Sequence, residues 1–172
     1  MSGQVTKINI AIQDAGVMVD LSKAGLVTQA FQLPVTYYTT DTVLDDLNSK
    51  QKNEFFPYVE TTQLRCESMD AGMFATIAKY QPLYPELSEQ DLSVYHIAQA
   101  KQLPVLTSCN TLRLFMKKLN VEAKSTYWVV DLLADYTFVT AEQAGVLYQK
   151  LNNANPRLAP EDFSRGQKRW EK

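Results

Sequence analysis

The stretch LSEQDLSVYHIAQAKQLPVLTSCNTLR, Leu87 to Arg113, decides the fold. It reads as a helix, a short buried strand and the opening turn of a second helix. Ser88 is a natural N-cap, and Asp91 stands three residues on, where a capping acid reaches back to the cap's own amide. Val94, Ile97, Ala98 and the stem of Lys101 follow at helical spacing. Pro104 stops the helix, Val105 and Leu106 form the strand, and Thr107-Ser108 supply the next N-cap. Asp91 shares a face with Val94, Tyr95 and Ala98, which turns its carboxylate along the inward stripe. A cap alone does not need that placement, whereas an acid beside the carboxyl end of a strand is the usual setting of an α/β active site.

Working outward from there, Lys7 to Gln13 (KINIAIQ) is apolar and β-branched and predicts a buried strand. Asp14 follows it directly and caps a helix with Val17, Met18 and Leu21 inward and Gly25 as its C′ residue. Pro34 to Tyr38 predicts a second strand. The segment TVLDDLNSK predicts a short helix with Val43, Leu44 and Leu47 inward and Asp46 at the border of that face. A third strand is expected around Tyr58 to Thr61, held by Pro57 to an edge or a short piece. Met69 to Tyr80 predicts a helix with Met73, Phe74 and Ile77 inside. Beyond Cys109, TLRLFMKKLNV is amphipathic, with Leu112, Phe115, Met116 and Leu119 buried. Three further helices follow, Thr126–Tyr136, Thr140–Asn152 and Ala159–Trp170. Alternation of strand and helix through residue 121 predicts an α/β domain with a mainly parallel sheet and helices on both sides, ending in a helical annex.

Composition narrows the function. A chain of 172 residues, 45% apolar and 21% charged, is long and apolar enough for one packed domain. No apolar run is long enough to cross a bilayer and the start lacks a secretory profile, so the expected setting is cytoplasmic with no membrane partner. Cys66 and Cys109 are too few for a disulfide framework, and a single histidine leaves no Cys/His zinc pattern. A net charge of −2 does not advertise nucleic-acid binding, so any such contact must come from a local basic face.

Four acids stand near the carboxyl ends of predicted strands: Asp14 after the first, Asp41 and Asp46 after the second, Asp91 at the helix leading into the fourth. In a parallel sheet those ends share one edge. Carboxylates gathered there repel one another unless a cation sits among them, and all-oxygen ligands suit Mg²⁺ or Mn²⁺. Singly, each acid has a plainer role. Asp14 and Asp41 serve as N-caps, Asp91 as a capping-box acid, and Asp46 as half of a solvated pair with Asp45. Their shared edge is what points to chemistry.

Strand, Asp14 and the GVMVDLSKAG body resemble the opening of PIN-domain nucleases, D-x-x-x-hydrophobic-hydrophobic-x-L with a following A-G. TVLDDL resembles their second motif, V-L-x-E-L, with Asp46 at the acid position. LSEQDLSVYHIAQA resembles the third, S-x-x-D before an alanine-rich helix, with Asp91 as the acid. LPVLTSCNTLR resembles the fourth, L-L-T-x-D-x-x-L-R, with Cys109 where the family has aspartate. The order and framing residues match from about residue 8 to 122, and the tail is similar to the extension of a bacterial subgroup.

The resemblance implies a three-layer α/β/α domain over 1–124 and a helical extension over 125–172 packed on the same domain. It implies a Mg²⁺- or Mn²⁺-dependent endoribonuclease of the toxin–antitoxin kind, with Asp14, Asp46 and Asp91 as metal ligands and catalytic acids. Single-stranded or structured RNA is the implied substrate, an antitoxin protein the implied partner, and a homodimer the implied assembly, with which the apolar 126–136 helix is consistent. Cys109 in place of the fourth acid removes a negative charge; Ser108 and Asn110 are the neighbours able to lend oxygen there. Arg113 and Lys117 follow Cys109 at i+4 and i+8 on one helix face and are the candidate phosphate contacts, though basic residues opposite an apolar stripe are more often a solvated face. His96 is more simply a packing or surface residue than a catalyst. The same substitution at Cys109 supports the alternative of a catalytically impaired PIN-fold module that binds RNA or protein.

Overall fold

The computed structural model describes residues 8–12 and 15–171. Five parallel strands form its sheet: β1 (Ile8–Ile12), β2 (Val35–Thr40), β3 (Leu64–Glu67), β4 (Val105–Leu106) and β5 (Ala123–Lys124), in the order β3-β2-β1-β4-β5. Helices join them: α1 (Ala15–Lys23) and α2 (Val27–Gln32) lead from β1 to β2, and α3 (Asp41–Asp45) and α4 (Ser49–Glu60) lead to β3. α5 (Ala71–Tyr80) and α6 (Glu89–Lys101) cross to β4, and α7 (Asn110–Lys118) leads to β5. The annex is α8 (Tyr127–Asp135), α9 (Ala141–Ala154) and α10 (Pro160–Trp170).

The strand order reverses at β1. Connections run one way through β2 to β3 and then jump back across β1 to β4 and β5. Right-handed crossovers therefore send the two sets of helices to opposite faces. The packing agrees. Phe115 of α7 meets Tyr80 of α5 and Tyr95 of α6 edge-on at 5.8 and 5.1 Å, which groups those three helices. α1, α2 and α4 pack together, and α8 and α9 cover α2 and α1 in turn. The molecule is thus a mixed α/β fold compatible with a three-layer arrangement. The switch point, outside the carboxyl ends of β1 and β4, is where such sheets offer a crevice.

Local chemistry explains most boundaries. Gly25 ends α1 at φ +68°, a left-handed position that glycine takes without a Cβ penalty. In β2 every residue is buried, as a strand covered on both faces requires, and the Tyr37 hydroxyl donates to the Ala30 carbonyl at 3.0 Å.

The strand expected at Tyr58–Thr61 is instead the end of α4 and its cap. Asn48 and Gln51 form a capping box that starts this helix early, Phe55 is wholly buried, and Tyr58 stacks on Phe31 with centroids 3.8 Å apart. Pro57 lies inside α4 at an exposed position, where water can take the carbonyl that its missing N–H leaves unpaired. β3 begins only at Leu64. Phe74, expected inward, is 61% exposed, while Met73 and Ile77 beside it are buried. Val129, Val130 and Leu133, on the apolar face of α8, are fully buried within this same chain. No helix among the described residues is long and apolar enough to cross a membrane.

Candidate functional site

Asp91 is the charged residue that the rim of the sheet buries. Ser88 accepts the Asp91 amide on its hydroxyl at 3.1 Å, and the Asp91 carboxylate accepts the Ser88 amide at 2.9 Å, so the predicted capping box is present. The residue is nonetheless only 6% exposed, more than a cap requires. Burial pushes its carboxyl above the usual range, opposed by the hydrogen bonds from Ser88. The amino end of α6 works against that penalty through its dipole.

Two contacts fix where this turn sits. Ser93 bonds Thr40 at 2.9 Å and Thr42 at 3.3 Å, and Thr40 bonds Thr42 at 2.9 Å, so three hydroxyls clamp the first turn of α6 to the carboxyl end of β2. Thr40 also caps α3, accepting from the Val43 amide. Two residues on from Ser93, Tyr95 lies against Phe115 of α7. Asp91 is one turn before Tyr95 and almost opposite Ser93 around the helix, so it stands on the β4–α7 side, toward the switch point.

Across from it the chain leaves β4 at Thr107-Ser108-Cys109. The Thr107 hydroxyl accepts the Cys109 amide at 2.9 Å, and the Thr107 amide donates to the Lys124 carbonyl at 2.8 Å. Cys109 is the N-cap residue of α7 and makes no side-chain cap bond; it and Ser108 are half-buried, and Asn110 is exposed. Arg113 and Lys117 lie along α7 on the wall of a groove.

The remaining acids divide. Asp46 is the exposed C-cap residue of α3, a helix that packs on α6. Asp41 is occupied, its two oxygens taking the amides of Thr42 at 2.8 Å and Met69 at 3.1 Å. It ties the start of α3 to the segment after β3. Asp14 lies outside the described residues. Among the described residues no three His, Cys, Asp or Glu side chains cluster closely enough to hold a metal. His96 shares a 2.8 Å hydrogen bond with Thr76 and lies against Gly72, so its place is the α5–α6 contact.

Thr40, Thr42 and Ser93 were not singled out from sequence, although a TTDT run closing a strand is the kind of signal that marks a hydroxyl-rich strand end. No protein-family profile matches this chain, and no curated protein matches it.

Proposed function

We propose that the chain is a PIN-like nuclease, a divalent-metal-dependent endoribonuclease whose ion is held by Asp14, Asp46 and Asp91. One observation carries this reading. Asp91 is a carboxylate buried at the switch-point side of a parallel sheet, at a cost that its role as a cap does not explain. The donor set fits a hard cation: Asp91 and Asp46 are oxygen donors from the packed pair α6 and α3, and Ser108 offers a further oxygen on the β4–α7 side that Asp91 faces, beside the Cys109 thiol. Bound there, Mg²⁺ or Mn²⁺ would supply positive charge to the phosphodiester and acidify the attacking water.

The chain's own residues then have separable tasks. The three-hydroxyl clamp holds the first turn of α6, and with it Asp91, in one orientation on β2. Arg113 and Lys117 neutralise phosphates beside the rim. Ser108 and Asn110 offer oxygen where Cys109 interrupts the acid set. A toxin-like role, with an antitoxin partner and cytoplasmic RNA as target, belongs to the same proposal.

The test is cleavage of single-stranded RNA with Mn²⁺ or Mg²⁺. Wild type is expected to cut, EDTA to stop it, and Asp91→Asn and Asp14→Asn each to abolish it. Cutting that survives either substitution sinks the assignment. Cys109 favours a second reading, a PIN-fold module that binds RNA or protein without turnover. Under it the parent is inactive and Cys109→Asp creates metal-dependent cleavage.

A further inference from the structure

The groove along α7 has a second wall that the acid motifs do not involve. Its near side is Asn110, Arg113, Leu114 and Lys117; its far side is the turn between α9 and α10, with Arg157 and Glu161. This open groove spans about 980 Å³, ample for a chain of several linked groups. The annex therefore builds a site together with the α/β domain rather than only covering it.

Its electrostatics are unusual for this protein. The chain as a whole carries a net charge of −2, yet the groove gathers three cations against the single acid Glu161. Arg113, Lys117 and Arg157 make no ion pair among the described residues. Three cations converging on a concavity against one acid leave a local excess of positive charge, which raises the potential and draws an anion. Leu114, 56% exposed, gives the same groove an apolar surface on which a base can rest.

The groove also has a direction. It starts at Asn110, next to Cys109 at the rim, and follows α7 to Lys117, a run of about 10 Å at 1.5 Å per residue. We infer that this groove binds the sugar–phosphate backbone of single-stranded RNA, with Arg157 of the annex and Arg113 and Lys117 of α7 contacting successive phosphates. The inference rests on the proposed nuclease reading for its ligand class, and it assigns the annex a part in holding substrate.

Binding is measured by fluorescence anisotropy with a labelled oligouridylate in EDTA, so that cleavage does not enter. Arg157→Ala, Lys117→Ala and Arg113→Ala are each expected to weaken binding several-fold. Each should also flatten the dependence of log Kd on log salt concentration by about 0.7, the value for one lost single-strand phosphate contact. Lys150→Ala on α9, outside the groove, is expected to bind as wild type. Arg157→Ala binding like wild type, or wild type failing to bind the oligonucleotide, overturns the inference. Asp91→Asn separates the two ideas. If it binds in a groove-dependent way while wild type does not cleave with Mn²⁺, the groove stands and the nuclease reading falls. If the groove variants cleave with unchanged KM, the groove falls and the nuclease reading stands.

Discussion

Asp20 offers a quantitative test of how the annex meets the α/β domain. It lies on α1, is 4% exposed, and accepts a 3.4 Å hydrogen bond from Asn155, just beyond α9. Burial raises its carboxyl from an ordinary 3.8 to about 6, against lowering contributions from Asn155 and the Lys23 charge. The gap of about two pH units corresponds to about 3 kcal/mol at about 1.4 kcal/mol per unit. The sign follows from proton binding. The folded chain holds this proton more tightly than the unfolded one, so the group's stabilisation is complete below pH 3.8 and is lost as pH rises through about 6. Asp20→Asn keeps the shape and removes the titration. Urea melts of both proteins from pH 4 to pH 8 should show the variant gaining on wild type by about 2.4 kcal/mol, most of it between pH 4 and 6. Any constant cost of altering the Asn155 contact cancels in that slope. A stability difference that stays flat across the range would mean that Asp20 is not buried under the annex.

Three further outcomes follow from particular contacts. Gly166→Ala would normally favour a helix, but here the added Cβ would lie 1.9 Å from the Tyr148 ring, which is fully buried and stacked on Tyr127. A loss of about 2–3 kcal/mol in urea unfolding is expected, and a gain would contradict the packing of α10 on α9. The Cys66 thiol is pushed up to about 11 by burial and then by the charges of Asp41, Glu67 and Asp45, so at pH 8 it should alkylate far more slowly in the native chain than in urea, as read by mass spectrometry. Equal rates would refute its shielding. Ser93→Ala removes the hydroxyl shared with Thr40 and Thr42 and should cost about 1 kcal/mol in thermal or urea unfolding, whereas no loss would show that the clamp does not hold α6.

Much of the architecture was written in local signals. Ser88 and Asp91 announced their capping box, Gly25 its left-handed cap, and the mostly apolar character around Ile10 and Val105 the central parallel strands. Aromatic and β-branched residues misled where a helix used them for packing: FFPYV reads as strand, but Asn48 nucleates a helix and Phe31 receives Tyr58. β5, two residues long, has no periodicity to detect and exists because Glu122 and Lys124 carbonyls accept the amides of Val105 and Thr107. At the site, the inward face of Asp91 followed from spacing with Val94 and Tyr95. The exposure of Asp46 agrees with the plainer reading of a solvated pair with Asp45, and its place as the α3 C-cap depends on α3 ending at Asp45. Arg157 carried no signal at all, because only tertiary packing brings the α9–α10 turn to α7.

The central claim is that Asp91 shares a divalent ion with Asp46 and Asp14. Crystals soaked in Mn²⁺, with anomalous scattering recorded, test it most directly. The account predicts one strong peak at the carboxyl rim, about 2.0–2.2 Å from oxygens of these acids. A map with no ion beside Asp91, or with the three carboxylates on separate surfaces, would contradict it.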